Sequence, residues 1–226
     1  MNKILIIPAR IGSKRISEKN IRSFHGKPII AYSIEAALKS ELFETVMVST
    51  DSNKIGDLAR KYGAEVPFLR SLENSDDQAG LAEVLIEVLD NYSYEYDVTC
   101  CLLPTAPLIS VEKLHEADLM MVRENLDAVI TVQEFSYPID RALYLSGNKA
   151  AMIRPENYKK RSQDLKPAYH DAGQFYFIKT KVLKSDRMLF PRNCGAIVLN
   201  ELEAHDIDNP LDWIMAEIKY KQLKRL

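Results

Sequence analysis

Cysteine is scarce, with three in 226 residues. Cys100 and Cys101 are adjacent and Cys194 is distant, so no disulfide framework suggests itself. Neither C-x-x-C nor a Cys/His zinc spacing occurs. Reduced thiols in a cytoplasmic core are the expectation. Long apolar runs are also missing. The most apolar stretch, 98–109, is broken by Pro104 and Pro107 and is too short to span a bilayer. Met1-Asn2-Lys3-Ile4 runs straight into a strand-like segment, without the apolar region and cleavage site of a signal peptide. No charge of either sign dominates: 30 Lys and Arg stand against 32 Asp and Glu, a formal net charge of -2. A general nucleic-acid binder needs a basic face, so nucleic acid and membrane are set aside as partners. Two glycine fingerprints are absent as well. Without G-x-x-x-x-G-K-[ST] the chain is not an ordinary P-loop ATPase, and without G-x-G-x-x-G a nicotinamide oxidoreductase is disfavoured.

The composition that is present, 46% hydrophobic and 27% charged, is that of an ordinary soluble domain. The expectation is a single domain over 1–226 with an elaborated subdomain at about 133–176. Ile4 to Ile7 form a short continuous apolar run, as in a strand buried on both faces. Pro28 stands as a first helical residue before Ile30, Ile34, Ala37 and Leu38. Strands are expected at 45–50, 65–68, 98–103 and 127–132. Between them fall helices: one capped by Ser52 and stopped by Gly63, one through Leu81 to Leu89, and one over 111–124. This alternation predicts an α/β fold with a mostly parallel sheet and helices on both faces. From Gln133 to Tyr176 the pattern breaks into a polar, tyrosine-bearing, β-rich excursion. Strands resume at 174–178 and 196–199. Asn209 then caps a last helix with Pro210 first and Leu211, Ile214 and Ile218 as its apolar positions.

Four cations, Arg10, Lys14, Arg15 and Lys19, fall within ten residues at the carboxyl end of the first strand. Open α/β sheets bind ligands there. Gly12 and Ser13 permit tight turns whose amides face an anion. A solvated basic loop is the bland alternative. Four cations behind a buried strand favour a phosphate cradle. Near the other end, Asp206 and Asp208 lie two apart in what reads as a strand end, which puts both carboxylates on one face. Such a pair repels unless a cation or solvent intervenes. Spacing alone leaves two readings even: a Mg²⁺ site, or solvated charge favoured before a helix N-terminus.

Residues Ile7-Pro8-Ala9-Arg10-Ile11-Gly12-Ser13-Lys14-Arg15-Ile16, Lys19-Asn20-Ile21 and Gly26-Lys27-Pro28 resemble the opening signature of the cytidylyltransferases that activate acidic sugars, the CMP-sialic acid synthetases and their relatives. The likeness continues through Ser49-Thr50-Asp51, Arg70, Pro104-Thr105-Ala106-Pro107 and Asp206-Ile207-Asp208, and so spans nearly the whole chain. Ile11 and Ser17 depart from the Gly and Pro usual in the opening loop. The resemblance implies a Rossmann-like three-layer nucleotide-diphospho-sugar transferase fold. It also implies a homodimer using the Gln133–Tyr176 region.

Carried over residue by residue, it implies a CTP site of Arg10, Gly12, Ser13, Lys14, Lys19, Asn20 and Arg70. Arg70 falls near the cytosine, followed by Asp76 and Asp77 with no assigned role. Lys14, Arg10 and Asp208 are the catalytic candidates, and the match tips Asp206 and Asp208 toward Mg²⁺. The implied reaction is attack of an acidic sugar's anomeric hydroxyl on the α-phosphate of CTP, with pyrophosphate leaving. Metal and loop would neutralise charge. The base remains open between a metal-bound hydroxide and a site carboxylate.

For the acceptor, an acidic nine-carbon sugar, the candidate contacts are Arg161, Gln163, Asp164, Gln174 and Leu103. Arg161 suits a carboxylate by its planar fork. The run His170-Asp171-Ala172-Gly173-Gln174-Phe175 and the run Pro138-Ile139-Asp140-Arg141-Ala142 resemble the pseudaminic acid subgroup. Leu103 stands where sialic acid enzymes typically have Gln, which suits an acceptor with a more apolar edge. Sialic or legionaminic acid is the alternative, and a non-catalytic nucleotide-binding protein the more distant one. His170 with Asp171 leaves two readings, a structural hydrogen-bonded pair, which is preferred, or proton transfer, and Tyr169, Phe175 and Tyr176 read as core or dimer packing.

Overall fold

A computed structural model of the chain describes residues 1–76 and 79–224; Asp77 lies outside the described residues. Strand β1 (Lys3–Pro8) leads into a loop carrying two short strands, β2 (Ser23–Phe24) and β3 (Lys27–Pro28). Next come α1 (Ile29–Ser40), β4 (Thr45–Ser49), α2 (Asn53–Lys61), α3 (Leu81–Asn91), β5 (Val98–Leu102), α4 (Val111–Arg123) and β6 (Ala128–Glu134). An exposed hairpin, β7 (Leu143–Ser146) and β8 (Lys149–Met152), precedes β9 (Tyr169–Lys179), α5 (Thr180–Asp186), β10 (Cys194–Val198) and α6 (Pro210–Lys224).

Six strands form the central sheet in the order β10-β6-β9-β5-β1-β4. β1 runs parallel to β4 and β5, and β10 parallel to β6. Only β9 is antiparallel to its neighbours β5 and β6. The α/β, mostly parallel architecture expected from the alternation is therefore present. The apolar run of β1 is buried on both faces because helices cover both. Leu5 and Ile7 pack with Ile30 and Ile34 of α1, Ile55 of α2 and Leu114 of α4. Ile4 and Ile6 point the other way, onto Leu85 and Val88 of α3 and Leu183 of α5.

Several boundaries differ from expectation, each for a physical reason. The segment 65–68 makes only a bridge from Glu65 to Met47, because Pro67 has no amide to continue a ladder. Pro28 is the residue before α1 rather than its first. Ser52 occupies the cap position of α2 without a side-chain cap bond, while Gly63 beyond the helix takes φ +96 as its stop requires. β9 starts at Tyr169, five residues earlier than expected. Its pairing with β6 shifts register between Ile130 and Val132. Asn209 does cap α6, its Oδ1 accepting from the amides of Leu211 (2.9 Å) and Asp212 (3.1 Å). The apolar positions assigned to α6 face the wrong way, however. Leu211, Ile214 and Ile218 are exposed, whereas Trp213 and Ala216 are buried against Phe24 of β2.

Phe177 of β9 is fully buried, with Phe175 at 5.6 Å and Phe43 at 5.7 Å between ring centroids. Phe177→Ala leaves a cavity under the sheet. We expect a loss of about 3–5 kcal/mol in urea unfolding. A loss below about 1 kcal/mol would show that this side of the core is not packed as described.

Candidate active site

The basic loop leaves β1 at its carboxyl end and is tied down at several points. The amide of Ala9 donates to Ser49 O (2.9 Å), prolonging the β1–β4 pairing by one residue. The amide of Ile11 donates to Asp51 Oδ1 (2.9 Å), so the acidic end of Ser49-Thr50-Asp51 anchors the loop. Buried Asn20 donates from Nδ2 to Arg10 O (2.8 Å), closing the loop on itself. Asn20 therefore shapes the backbone as well as facing the cleft. A Cβ at Gly12 would meet nothing within 4 Å, and Gly12 is not among the residues lining the cleft.

That cleft has a volume of about 560 Å³. Arg10, Ser13, Lys14, Lys19, Asn20 and Arg70 of the expected nucleotide contacts line it. Arg15, Leu103, Pro104, Thr105 and Asp208 line it too. Most of the proposed triphosphate contacts thus meet in one place, reached from the loops after β1 and β5 and from the segment at Arg70. Arg70 forms a wall. It is buried, and it donates from Nε to Ser49 Oγ (2.9 Å) and from Nη2 to Ser49 O. Its pKa is lowered, first by loss of solvent, while Asp51 and Glu87 oppose the fall.

Asp206 and Asp208 lie in the loop between β10 and α6, not at a strand end. The loop is shaped by Asp212, whose Oδ2 accepts from the amides of Asp208 (2.8 Å) and Asn209 (2.9 Å). Asp208 Oδ1 meets Arg15 Nη2 at 2.8 Å and Lys19 Nζ at 3.8 Å. Lys19 Nζ also donates to Ile207 O (2.6 Å). Loss of solvent lowers the Lys19 pKa, with the charges of Asp208 and Asp206 pulling it back. Asp206 is pushed up, first by desolvation and then by the negative charge of Asp208. Among the described residues no group of three or more His, Cys, Asp or Glu is disposed to hold a metal. Two carboxylates are nonetheless the donor set with which Mg²⁺ makes up its shell from water and substrate phosphate. Asp208 lines the cleft beside the phosphate-facing cations, whereas Asp206 is not among its lining residues, so the donor chemistry fits such an ion with Asp208 as the carboxylate that faces the cleft.

The acceptor candidates divide. Leu103 lines the cleft. Gln174 lies beside it, its carbonyl oxygen accepting from the Leu103 amide (2.9 Å). Gln174 is buried and not among the residues lining the cleft; its Nε2 donates to Ala172 O (2.8 Å) and Gly173 O (3.1 Å), and its Oε1 has no hydrogen-bond partner among the described residues. Arg161, Gln163 and Asp164 are exposed in the excursion and are not among the residues lining the cleft. Arg161 binds Asp164 through Nε (2.8 Å) and Nη2 (3.0 Å). One arrangement escaped the sequence reading. Tyr176, expected only to pack, is buried and donates its hydroxyl to Asp171 Oδ2 (2.7 Å). Burial, then that bond, pushes its pKa far above the ordinary phenol. No local signal announces the pair, because the register shift of β9 creates it. Arg15, whose charge was legible, is the direct partner of Asp208, a pairing 193 residues apart in sequence.

Comparison with known proteins follows the same lines. A model of the cytidylyltransferase family matches residues 4–193. A pseudaminic acid cytidylyltransferase of Campylobacter jejuni subsp. jejuni serotype O:2 is 43% identical over 225 residues, covering 98% of this chain and 97% of that one. A CMP-N,N'-diacetyllegionaminic acid synthase of Legionella pneumophila is 33% identical, covering 96% of this chain and 95% of that one. The fold resembles that of a CMP:2-keto-3-deoxy-manno-octonic acid synthetase solved with CTP, with a TM-score of 0.73, 17% identity and full coverage of both chains.

Arg70 supports the wall by a fork that lysine cannot reproduce. Arg70→Lys is expected to cost about 1.5–3 kcal/mol in urea unfolding, because Ser49 O and Oγ lose charged donors. An unchanged midpoint would mean the guanidinium holds nothing there.

Proposed function

The chain belongs to the cytidylyltransferase family, and from that premise we propose that it transfers CMP from CTP to the anomeric hydroxyl of pseudaminic acid, releasing pyrophosphate. The observation that carries this reading is the cleft itself. Arg10, Lys14, Arg15 and Lys19 crowd one end of the sheet and face Asp208 across it. A triphosphate brings negative charge that these cations neutralise. A Mg²⁺ held by Asp206 and Asp208 would add Lewis-acid stabilisation of phosphate charge.

The chain's own residues position two polyanions and disperse charge. The hydroxyl oxygen bonds to the α-phosphorus as the bond to the bridging oxygen of pyrophosphate breaks, and the hydroxyl gives up its proton. Arg10, Lys14 and Lys19 hold the departing pyrophosphate, where the charge grows. Arg15 leaves Asp208 for phosphate as the nucleotide enters. Arg70 and the β4 end bound the base. No covalent enzyme intermediate is needed.

Pseudaminic acid is favoured over its relatives by the apolar wall at Leu103 and by the 43% identity to an enzyme named for that sugar, against 33% for one named for the legionaminic acid derivative. The unpartnered Gln174 Oε1 accepts, and its two backbone bonds fix the amide so that it cannot turn to donate. It suits an acetamido N–H of the acceptor. In this reading the chain works as a homodimer. Leu143, Leu145, Ala150 and Met152 share one face of the β7–β8 hairpin and all but Met152 are exposed. A bare two-stranded hairpin is marginal in water, so a second copy covers it and the arm brings Arg161, Gln163 and Asp164 toward an acceptor site.

Pyrophosphate release from CTP and Mg²⁺ with a panel of acidic sugars tests this. Release is expected with pseudaminic acid. Release with none of the panel removes the transferase reading, and release with sialic or legionaminic acid alone removes the sugar. Within the active pair, Gln174→Leu should raise the KM for the sugar about tenfold, the cost of an unmatched amide donor, at unchanged KM for CTP. An unchanged sugar KM would take Gln174 out of the acceptor site.

A further inference from the structure

The charged edge of the cleft rests on a small aromatic core separate from the two cores of the sheet. Phe24 of β2 is its centre and is fully buried. It meets Trp213 at 5.6 Å, Tyr220 at 5.5 Å and Tyr32 at 5.5 Å between ring centroids, all edge to face. Such contacts each add to the area they bury. Tyr32 donates its hydroxyl to Phe24 O (2.8 Å), which ties the cluster to α1. His25 stacks on Tyr220 at 5.0 Å, and its Nε2 lies 3.2 Å from Glu217 O of α6. His25 and Gly26 both take positive φ in the tight β2–β3 turn, so these contacts offset a strained backbone.

Two further members connect this core to the chemistry. Ile16 directly follows Arg15, and Ile207 lies between Asp206 and Asp208; both are buried in the same cluster. The basic loop and the acidic loop are therefore gripped from below by one packed unit. Above it, Lys19 bonds Ile207 O and Arg15 bonds Asp208. Trp213 is the link on α6. It is buried, its Nε1 donates to Glu217 Oε1 (3.2 Å), and the Arg22 guanidinium lies 5.0 Å above its ring. Packing of Trp213 in one cluster with Phe24 and Ile207 anchors the acidic loop from below, alongside the Asp212 carboxylate that turns it and the bonds from Lys19 and Lys219 to its carbonyls.

We propose that Trp213 is a positioning residue for phosphoryl transfer: through Phe24 and Ile207 it fixes the acidic loop against the basic loop, and so sets the separation of opposite charges that the triphosphate bridges. The proposal rests on the transferase reading given above. A well-packed Trp213 keeps Asp206 and Asp208 within reach of a phosphate held by Lys14 and Lys19. A loosened one lets the loop drift, and misplacement on the order of 1 Å can cost up to about a hundredfold in rate.

Trp213 is the sole tryptophan of the chain, so its fluorescence reports on this core without labelling. Saturating inorganic pyrophosphate, added to the wild-type protein without metal, is expected to shift its emission. Trp213→Leu should stay folded by circular dichroism, keep the KM for the acceptor sugar within about twofold, and lose on the order of tenfold to a hundredfold in kcat. Trp213→Phe should recover most of that rate. Where Trp213→Leu does not fold, Tyr220→Leu at the rim of the cluster should show the same split, more weakly.

The proposal is overturned if a folded Trp213→Leu keeps the wild-type kcat, or if Trp213→Phe is as slow as the leucine variant. An emission unmoved by bound pyrophosphate, its binding followed by calorimetry, overturns it as well. Wild-type protein that releases no pyrophosphate with any sugar defeats the transferase reading instead, and the emission arm still decides whether this core senses phosphate.

Discussion

Like charges at Asp206 and Asp208 repel, and four cations packed into one loop repel as well. The two sets face one another across the cleft, and water also screens the exposed Lys14 and Arg15. Arg15 and Lys19 meet Asp208, while burial raises Asp206 and lowers Lys19, the Asp208 charge adding to the first shift and opposing the second. Both shifts begin with loss of solvent, so Asp206 and Lys19 are partly desolvated while Arg15 and Asp208 stay open to water. In the proposed reading a triphosphate with a divalent cation would bridge the two halves. The near-zero net charge of the whole chain conceals this local separation.

The rest of the fold supports that separation. Central parallel strands β1, β4 and β5 end at one edge, and the loops leaving them converge. Asp51 pins the basic loop to β4, and Ser49 pins Arg70. The long return from β10 carries the acidic loop to β1, and the aromatic core under Phe24 receives it. The antiparallel β9 places Gln174 beside Leu103, next to the nucleotide cleft. In the proposed reading nucleotide and acceptor would lie over neighbouring strands of one sheet, an arrangement that suits transfer between two bound substrates.

Much of this was legible in local sequence. The β1 run, the loop cations, the Asn209 cap and the alternation of strands with helices are short-range signals, and the structure carries each of them. What was illegible depends on distant partners. α6 offers two apolar stripes, and only the presence of Phe24 decides that Trp213 and Ala216 turn inward rather than Leu211 and Ile214. The acidic pair was read as a strand end because i, i+2 spacing suits a strand. Asp212 instead folds it into a turn by accepting two amides. Tyr176 reaches Asp171 only because β9 slips its register against β6. Arg161, expected at the acceptor, instead forks onto Asp164 three residues on, in the exposed arm away from the cleft.

The central claim is that the acidic pair and the basic loop act together on one metal-bound triphosphate. Calorimetric titration with CTP, with and without Mg²⁺, tests it most directly in wild-type protein and in the Asp206→Asn, Asp208→Asn double variant. Mg²⁺ should tighten CTP binding about tenfold or more in the wild type, about 1.4 kcal/mol of coupling, and by less than about twofold in the variant. A Mg²⁺ effect of equal size in both proteins would contradict the account.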